Sequence, residues 1–286
     1  MLPVVFAHAN SFVAGTYQQL FAHLRARGVE VQAPQRLGHD PRYPVTDNWP
    51  HLVEELTAFA RQHAASWGQA PYLVGHSLGG YLCVMAAAQH PDLARGVVML
   101  DSPLLSGWKA TTLGVAKRAQ LVGSVSPGKI SQRRRNHWPD AAEARAYFES
   151  KKAFARWHPQ VLSDYLQHGL EPAEGGGLRL HFDRAVETAI YNTLPHHLRQ
   201  WLARHPLQCP AAFIGGRSSR ELQQVGLELT RRITQGRIHI VDGSHLFPME
   251  QPEVTAATLE AALLNLEQLP RAEPVRKLHQ PERRAA

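Results

Sequence analysis

From its first residues onward the chain alternates short apolar runs with amphipathic helical stretches. That alternation restricts the fold most, because it suits a parallel sheet whose strands are buried on both faces by helices returning over them. Leu2 to His8 reads as a buried strand, and Thr16 to Arg27 as a helix that puts Tyr17, Leu20, Phe21 and Leu24 on one face before Gly28 stops it. A strand is expected at Val29 to Ala33, a helix at about Trp49 to Gln62 capped by Asp47 or Asn48, and a strand at Pro71 to Gly75. Leu78 to Gln89 is apolar nearly all round, as a helix buried against the middle of a sheet is. Further strands are expected at Gly96 to Asp101, Ala211 to Gly215 and Arg237 to Asp242. Helices follow at about Glu221 to Thr234 and from 253 to 268, the last bounded by Pro252 and Pro270. The fold class is α/β, with a mostly parallel sheet of about six strands flanked by helices.

Between Asp101 and Ala211 no stretch makes a convincing sheet strand, and the segment is too long to be a loop. It shows helical patterns near 108 to 122, 141 to 156 and 159 to 168, and it holds ten of the 22 aromatic residues. This reads as a helical insertion over one edge of the sheet, with Gly175, Gly176 and Gly177 as a flexible joint within it. The expected organisation is a core of residues 1–103 and 208–270, a cap of 104–207, and a disordered tail of 271–286.

Composition removes several classes of function. With 44% hydrophobic and 19% charged residues the chain is too apolar for an intrinsically disordered protein. No run reaches the roughly 18 apolar residues of a membrane helix, and the opening MLPVVFAHA lacks the basic segment of a signal peptide, so a cytoplasmic protein is expected. Cys83 and Cys209 form neither a disulfide framework nor a metal-spaced pair, and both are expected to be inert core thiols. The formal charge of +7 is concentrated in the tail, with five basic and two acidic residues, and at Arg133, Arg134 and Arg135. With no basic stripe and no interleaved aromatics, nucleic acid is not an expected partner.

Residues 75 to 79 read Gly-His-Ser-Leu-Gly, preceded by the strand YLV and followed by a helix. A serine on a sharp strand-to-helix turn needs small neighbours two residues either side, because the backbone is crowded there, and Gly75, Gly79 and Gly80 supply them. A serine hydroxyl is a weak nucleophile until a base takes its proton. Of the 17 histidines, His245 follows the last strand directly in VDGSHLFPMEQP, at the carboxyl edge of the sheet where the Ser77 turn also lies and where open parallel sheets bind ligands. His76 is expected to point away and His8 to shape the first loop. His196 and His197 have no metal-ligand spacing with a nearby Glu, Asp or Cys and are read as solvent-facing, so no metal site is expected.

These features together resemble the cap-bearing α/β-hydrolase superfamily, on its esterase and lipase side. The likeness spans about residues 2 to 268 and rests on the elbow and on the late Gly-x-His-x-x-Pro-x-Glu-x-Pro segment, with Gly243, His245, Pro248, Glu250 and Pro252 in the named places. The resemblance implies a triad in the chain order Ser, acid, His, an oxyanion hole and no cofactor. It makes Ser77 the nucleophile and His245 the base, with backbone N–H groups of Asn10 and Leu78 on the oxyanion. The first loop, FAHANSF, departs from the family pattern in carrying Ala9 where relatives have glycine. A second departure concerns the acid: the usual position, in FIGGRSSREL, is Ser218. Asp101, at the end of the strand after the elbow helix, is the substitute that some members use, with Asp242 and Glu221 as other candidates.

The expected reaction is hydrolysis of a small to medium apolar carboxylic ester, a small-molecule substrate. Trp108, Trp138, Trp157 and Tyr191 are the candidate lining residues. Epoxide hydrolases and haloalkane dehalogenases use an elbow Asp and fit less well. Carbon–carbon hydrolases, thioesterases and hydroxynitrile lyases keep the serine and stay open. The rival of another class is a small-ligand-binding protein on the same fold, which the joint presence of Ser77 and His245 argues against.

Overall fold

The structure, a computed structural model, describes residues 1–105 and 128–269. The helix expected near 108 to 122, Trp108 itself and the tail from 271 to 286 lie outside the described residues.

In chain order the first half contains β1 (Leu2–Ala7), a 3-10 turn at Ala14–Tyr17, α1 (Gln18–Ala26), β2 (Val29–Gln32), α2 (Pro50–Trp67), β3 (Tyr72–His76), α3 (Leu78–Gln89) and β4 (Gly96–Leu100). After the segment between residues 101 and 210, the chain returns with β8 (Ala211–Gly216), α9 (Arg220–Val225), α10 (Glu228–Thr234), β9 (Ile238–Val241), α11 (Phe247–Glu250) and α12 (Pro252–Glu267). The six strands form one sheet in the order β2-β1-β3-β4-β8-β9, parallel throughout.

The inner strands are apolar at nearly every position because both of their faces are covered. Val5, Ala7, Leu73, Val97 and Met99 point into one core cluster with α2 and α3, whereas Val4, Phe6, Val74, Val98 and Leu100 point into the other with α1 and α12. This period-2 alternation fixes the register, since a one-residue slip would exchange the two cores. All of α3 except Gln89 is buried, as its unbroken apolar sequence requires. Strand order runs outward in opposite directions from β1 and β3, so the carboxyl ends of β1, β3, β4, β8 and β9 open onto one crevice.

The described part of the intervening segment contains α4 (Gly128–Arg133), β5 (His137–Trp138), α5 (Ala141–Glu149), α6 (Pro159–His168), β6 (Leu170–Pro172), β7 (Leu178–Leu180), α7 (Arg184–Asn192) and α8 (Leu198–Arg204). It is not purely helical: β5, β7 and β6 make a small antiparallel sheet. Its strands are two or three residues long, too short for alternation to register in a sequence. Gly175, Gly176 and Gly177, all at positive φ, are the turn of its β6–β7 hairpin rather than a joint. A Cβ on Gly177 would lie 2.4 Å from the Trp138 carbonyl oxygen.

Three expected elements differ in detail. Neither Asp47 nor Asn48 caps α2; Trp49 occupies the cap at φ 64° without a side-chain bond, and Pro50 begins the helix. Asn48 Oδ1 instead accepts from the His196 backbone N–H and from His197 Nδ1, so these histidines tie the 193–197 segment to the core and are half-buried rather than solvent-facing. The helix expected over 221–234 is broken at Gly226, at φ 81°, into α9 and α10. The helix expected over 141–156 stops at Glu149, and successive tight turns roll Phe154 and Trp157 inward onto Phe148 and Tyr165. No helix among the described residues is long and apolar enough to cross a membrane. Cys83 is buried, which pushes its thiol pKa up, and Cys209 is half-buried.

Candidate active site

Ser77 sits between β3 and α3 at φ 54°, ψ −114°, a region where a residue with a Cβ costs on the order of 1–3 kcal/mol. Its N–H donates to the Leu100 carbonyl at 3.0 Å, and its carbonyl accepts from Gly80 N–H at 3.1 Å, so the turn is held from both sides. Crowding explains the flanking glycines. A Cβ on Gly75 would stand 2.2 Å from the Gly79 backbone, and one on Gly79 would stand 2.0 Å from the Ala7 carbonyl oxygen.

His245, on the loop after β9, reaches the same crevice. Its Nε2 lies 3.0 Å from Ser77 Oγ and its Nδ1 lies 2.7 Å from Asp101 Oδ2. Asp101 follows β4 at φ 42°, with no exposed surface. Its carboxylate is fully engaged: Oδ1 accepts from Gly216 N–H at 2.7 Å, and Oδ2 accepts from Ser219 Oγ at 2.5 Å as well as from His245. Because a carboxylate only accepts, His245 carries its proton on Nδ1 and turns a lone pair on Nε2 toward the Ser77 hydroxyl.

The other candidate acids stand elsewhere. Glu221 Oε2 is 3.8 Å from His245 Nδ1 on a half-exposed side chain, and Asp242 is ion-paired with Arg217 at 2.8 Å on the surface. Ser218, at the family's usual acid position, donates to the Gly243 carbonyl at 2.8 Å and so braces the histidine loop. As for metal-binding potential, the ligand atoms of Asp101, Glu221 and His245 lie within 4.8 Å of one another, the one such group among the described residues.

Four supporting groups were not visible as such in the sequence. Ser219 orients Asp101 while its Oγ also caps α9 through Leu222 N–H. Glu250, in the Gly-x-His-x-x-Pro-x-Glu-x-Pro segment, accepts from Ser244 N–H at 3.0 Å and Ser244 Oγ at 2.5 Å and so fixes the residue before His245. Tyr17 and His76 form a chain behind the site. Ala9 N–H donates to Tyr17 Oη at 3.1 Å, that hydroxyl donates to His76 Nδ1 at 2.8 Å, and His76 Nε2–H donates to the His245 carbonyl at 2.8 Å. The chain links the first loop, the elbow and the histidine loop, and its first bond holds the residue that stands in place of the family's glycine. The first loop is also tied to α7: Asn10 Nδ2 donates to the Glu187 carbonyl at 3.1 Å, and Ser11 Oγ donates to Glu187 Oε1 at 2.5 Å. Arg134 Nη1 donates to both oxygens of that carboxylate.

His76 and His8 are buried and each is held in one neutral tautomer; His8 shapes the first loop as expected, whereas His76, expected to point away, turns from Ser77 but packs its ring 5.1 Å from that of His245. His8 Nε2 accepts from Leu37 N–H at 2.8 Å. Burial lowers the His8 pKa to about 4, and burial with the neighbouring His245 ring lowers that of His76 to about 3. The unfolded chain takes up protons on both near pH 6.5 while the folded chain refuses them, so stability is full above pH 6.5 and falls as pH drops below it. By pH 5 each should have cost about 2 kcal/mol relative to pH 8. Urea unfolding at the two pH values measures this, and equal stabilities at both would contradict the burial of neutral imidazoles.

Two cavities meet at Ser77. The smaller, of about 130 Å³, includes Asn10, Leu78, Trp49, Tyr81, Ile190 and Tyr191 in its wall. The wider, of about 840 Å³, includes Asn10, Phe12, Tyr191 and a set of basic side chains. Of the four expected lining residues, Tyr191 faces both. Trp138 and Trp157 line neither, because they pack in an aromatic cluster with Phe148, Phe154 and Tyr165. Trp108 lies outside the described residues.

Comparison with known proteins fits this arrangement. The alpha/beta hydrolase family profile matches residues 4–258, and the chain belongs to that family. It is 24% identical over 274 residues to a putative non-heme haloperoxidase of Mycobacterium phage D29, covering 92% of this chain and 88% of that one. It is 25% identical to a 2-(acetamidomethylene)succinate hydrolase of Mesorhizobium japonicum, covering 88% and 84% of the two chains. Among solved structures, an esterase of M. tuberculosis superposes with a TM-score of 0.68 at 22% identity, covering 92% of this chain and 85% of that one.

Proposed function

We propose that the protein is a serine hydrolase that cleaves a carboxylic ester through an acyl-enzyme. The observation that carries this reading is the hydrogen-bonded line from buried Asp101 through both nitrogens of His245 to the strained Ser77, with two cavities opening on its hydroxyl. Relatives named as a hydrolase and an esterase support hydrolysis as the reaction type.

In the first half-reaction His245 Nε2 removes the hydroxyl proton while Ser77 Oγ bonds to the ester carbon. The carbonyl oxygen becomes an oxyanion held by the backbone N–H groups of Leu78, at the start of α3, and Asn10, each worth on the order of 3 kcal/mol to the transition state. Asp101 stabilises the imidazolium that forms. Collapse breaks the carbon–oxygen bond to the alcohol, which leaves with the proton from Nε2. Water then attacks the acyl-enzyme with His245 again as base, releasing the acid and restoring Ser77. Residues 104–207 serve as the cap, with α7 supplying Tyr191 and Ile190 to the site.

A fluorophosphonate probe tests the reading, since it reacts only with an activated serine. Peptide mapping should place the label on Ser77. A chain that stays unlabelled, or is labelled elsewhere, would refute the assignment.

A further inference from the structure

Resting on the serine-hydrolase reading, we infer that the substrate is an ester of a short apolar acid whose leaving group is large and negatively charged, for example a carboxylate- or phosphate-bearing alcohol. The argument comes from the unlike chemistry of the two cavities that meet at Ser77. Around the smaller one, Trp49, Leu78, Tyr81, Pro103, Ile190 and Leu194 present apolar surface. At about 130 Å³ it approaches the roughly 150 Å³ that an apolar cavity needs for a benzene-sized group, which sets the limit near six carbon atoms.

The wider cavity is bordered by basic side chains from two directions. Lys151, Lys152 and Arg156 come from the turns after α5, and Arg220 from the first residue of α9. Arg134 also borders it but is offset by Glu187 at 3.0 Å, and Arg156 is offset by Glu250 at 3.3 Å. Lys151, Lys152 and Arg220 form no ion pair among the described residues, although Lys151 Nζ stands 4.3 Å from the Tyr147 ring centroid, and Glu221, which borders both cavities, is the carboxylate that remains to oppose them. All of these cations but Arg134 are exposed side chains along the border of the cleft, and such a cluster of like charge attracts an anion to it.

The sequence of bond changes decides which arm goes where. The acyl group stays on Ser77 after the first step, so it suits the small cavity. The alcohol must leave before water can attack, and the wide cavity allows it out. Negative charge on that arm would be held over the cation cluster while His245 protonates the departing oxygen.

The test compares p-(butanoyloxy)phenylacetate with its methyl ester, whose phenol leaving groups are electronically alike but differ in charge. The ratio of their kcat/KM values should favour the anion about tenfold at low ionic strength and shrink severalfold in about 0.5 M salt. In the triple variant Lys151→Gln, Lys152→Gln, Arg220→Gln the ratio should approach one. Should that variant fail to fold, Lys152→Gln alone should still lower it, and the salt dependence of the unaltered enzyme reads the same effect. Mono-p-nitrophenyl glutarate, with its charge on the acyl arm, should be hydrolysed more slowly than p-nitrophenyl butyrate. A ratio near one in the unaltered enzyme, or a preference for the glutarate, would overturn the inference while leaving the hydrolase reading in place. Failure to hydrolyse any of these esters would overturn both.

Discussion

Ser77→Ala is expected to lower kcat for p-nitrophenyl butyrate by about a millionfold, leaving only what the oxyanion donors and binding supply. The loss follows from chemistry rather than from unfolding. The hydroxyl touches His245 Nε2 at 3.0 Å and lines both cavities, and it contributes nothing to either core cluster. The substitution keeps the Cβ, so the backbone at φ 54° is strained to the same degree and stability should change by less than about 1 kcal/mol. Adding His245→Ala should cost nothing further, because the two groups act as a unit and their effects do not add. Circular dichroism and urea unfolding beside the kinetics separate the cases. A folded Ser77→Ala protein that kept a tenth of its activity would remove Ser77 from the mechanism.

Asp101→Asn should lower kcat by about ten-thousandfold, through the tautomer of His245. Asp101 now accepts from three donors: Gly216 N–H, Ser219 Oγ and His245 Nδ1. In the asparagine the amide oxygen keeps the Gly216 bond and the NH₂ group falls where Ser219 and His245 were donating. His245 must then accept on Nδ1 and carry its proton on Nε2, which leaves Ser77 without a base. Glu221→Gln is the comparison. Its carboxylate stands 3.8 Å from Nδ1 on a half-exposed side chain, so the loss should stay within about tenfold. The reverse ranking of the two variants would move the acid role from Asp101 to Glu221.

The folding pattern was written in the sequence because it is local. Strands at Leu2, Tyr72 and Gly96 and the all-apolar helix at Leu78 follow from hydrophobic period and run length, and the six-stranded parallel sheet follows from their alternation with helices. The Gly75-to-Gly79 turn was legible for a similar reason: a crowded strand-to-helix turn excludes side chains at fixed spacing, and that exclusion appears as glycine. His245 stood out by its place after the last strand.

What escaped the sequence depends on contacts between distant segments. The three-residue strands β6 and β7 pair only because a glycine turn brings them together, and no periodicity of that length can be read. Trp138 and Trp157 looked like pocket residues because tryptophan suits both a pocket and a core, and only tertiary packing sends them into the aromatic cluster while Tyr191 reaches the site.

The same division runs through the candidate triad. The sequence by itself determined that Ser77 lies on a strained turn and that three carboxylates compete for the histidine. The family resemblance put Asp101 ahead of Asp242 and Glu221, but the contact itself lay beyond the sequence, because separation along the chain says nothing of direction in space. Parallel pairing of β4 with β8 carries Gly216 N–H and Ser219 Oγ to the Asp101 carboxylate, and β9 beside β8 delivers His245 to its other flank. Asp242, three residues from His245 in sequence, is turned outward to Arg217 instead. A buried carboxylate needs several donors to be tolerated, and those donors come from the end of β8 and the turn after it, more than a hundred residues away, so only the folded chain brings Asp101 and its donors together beside His245.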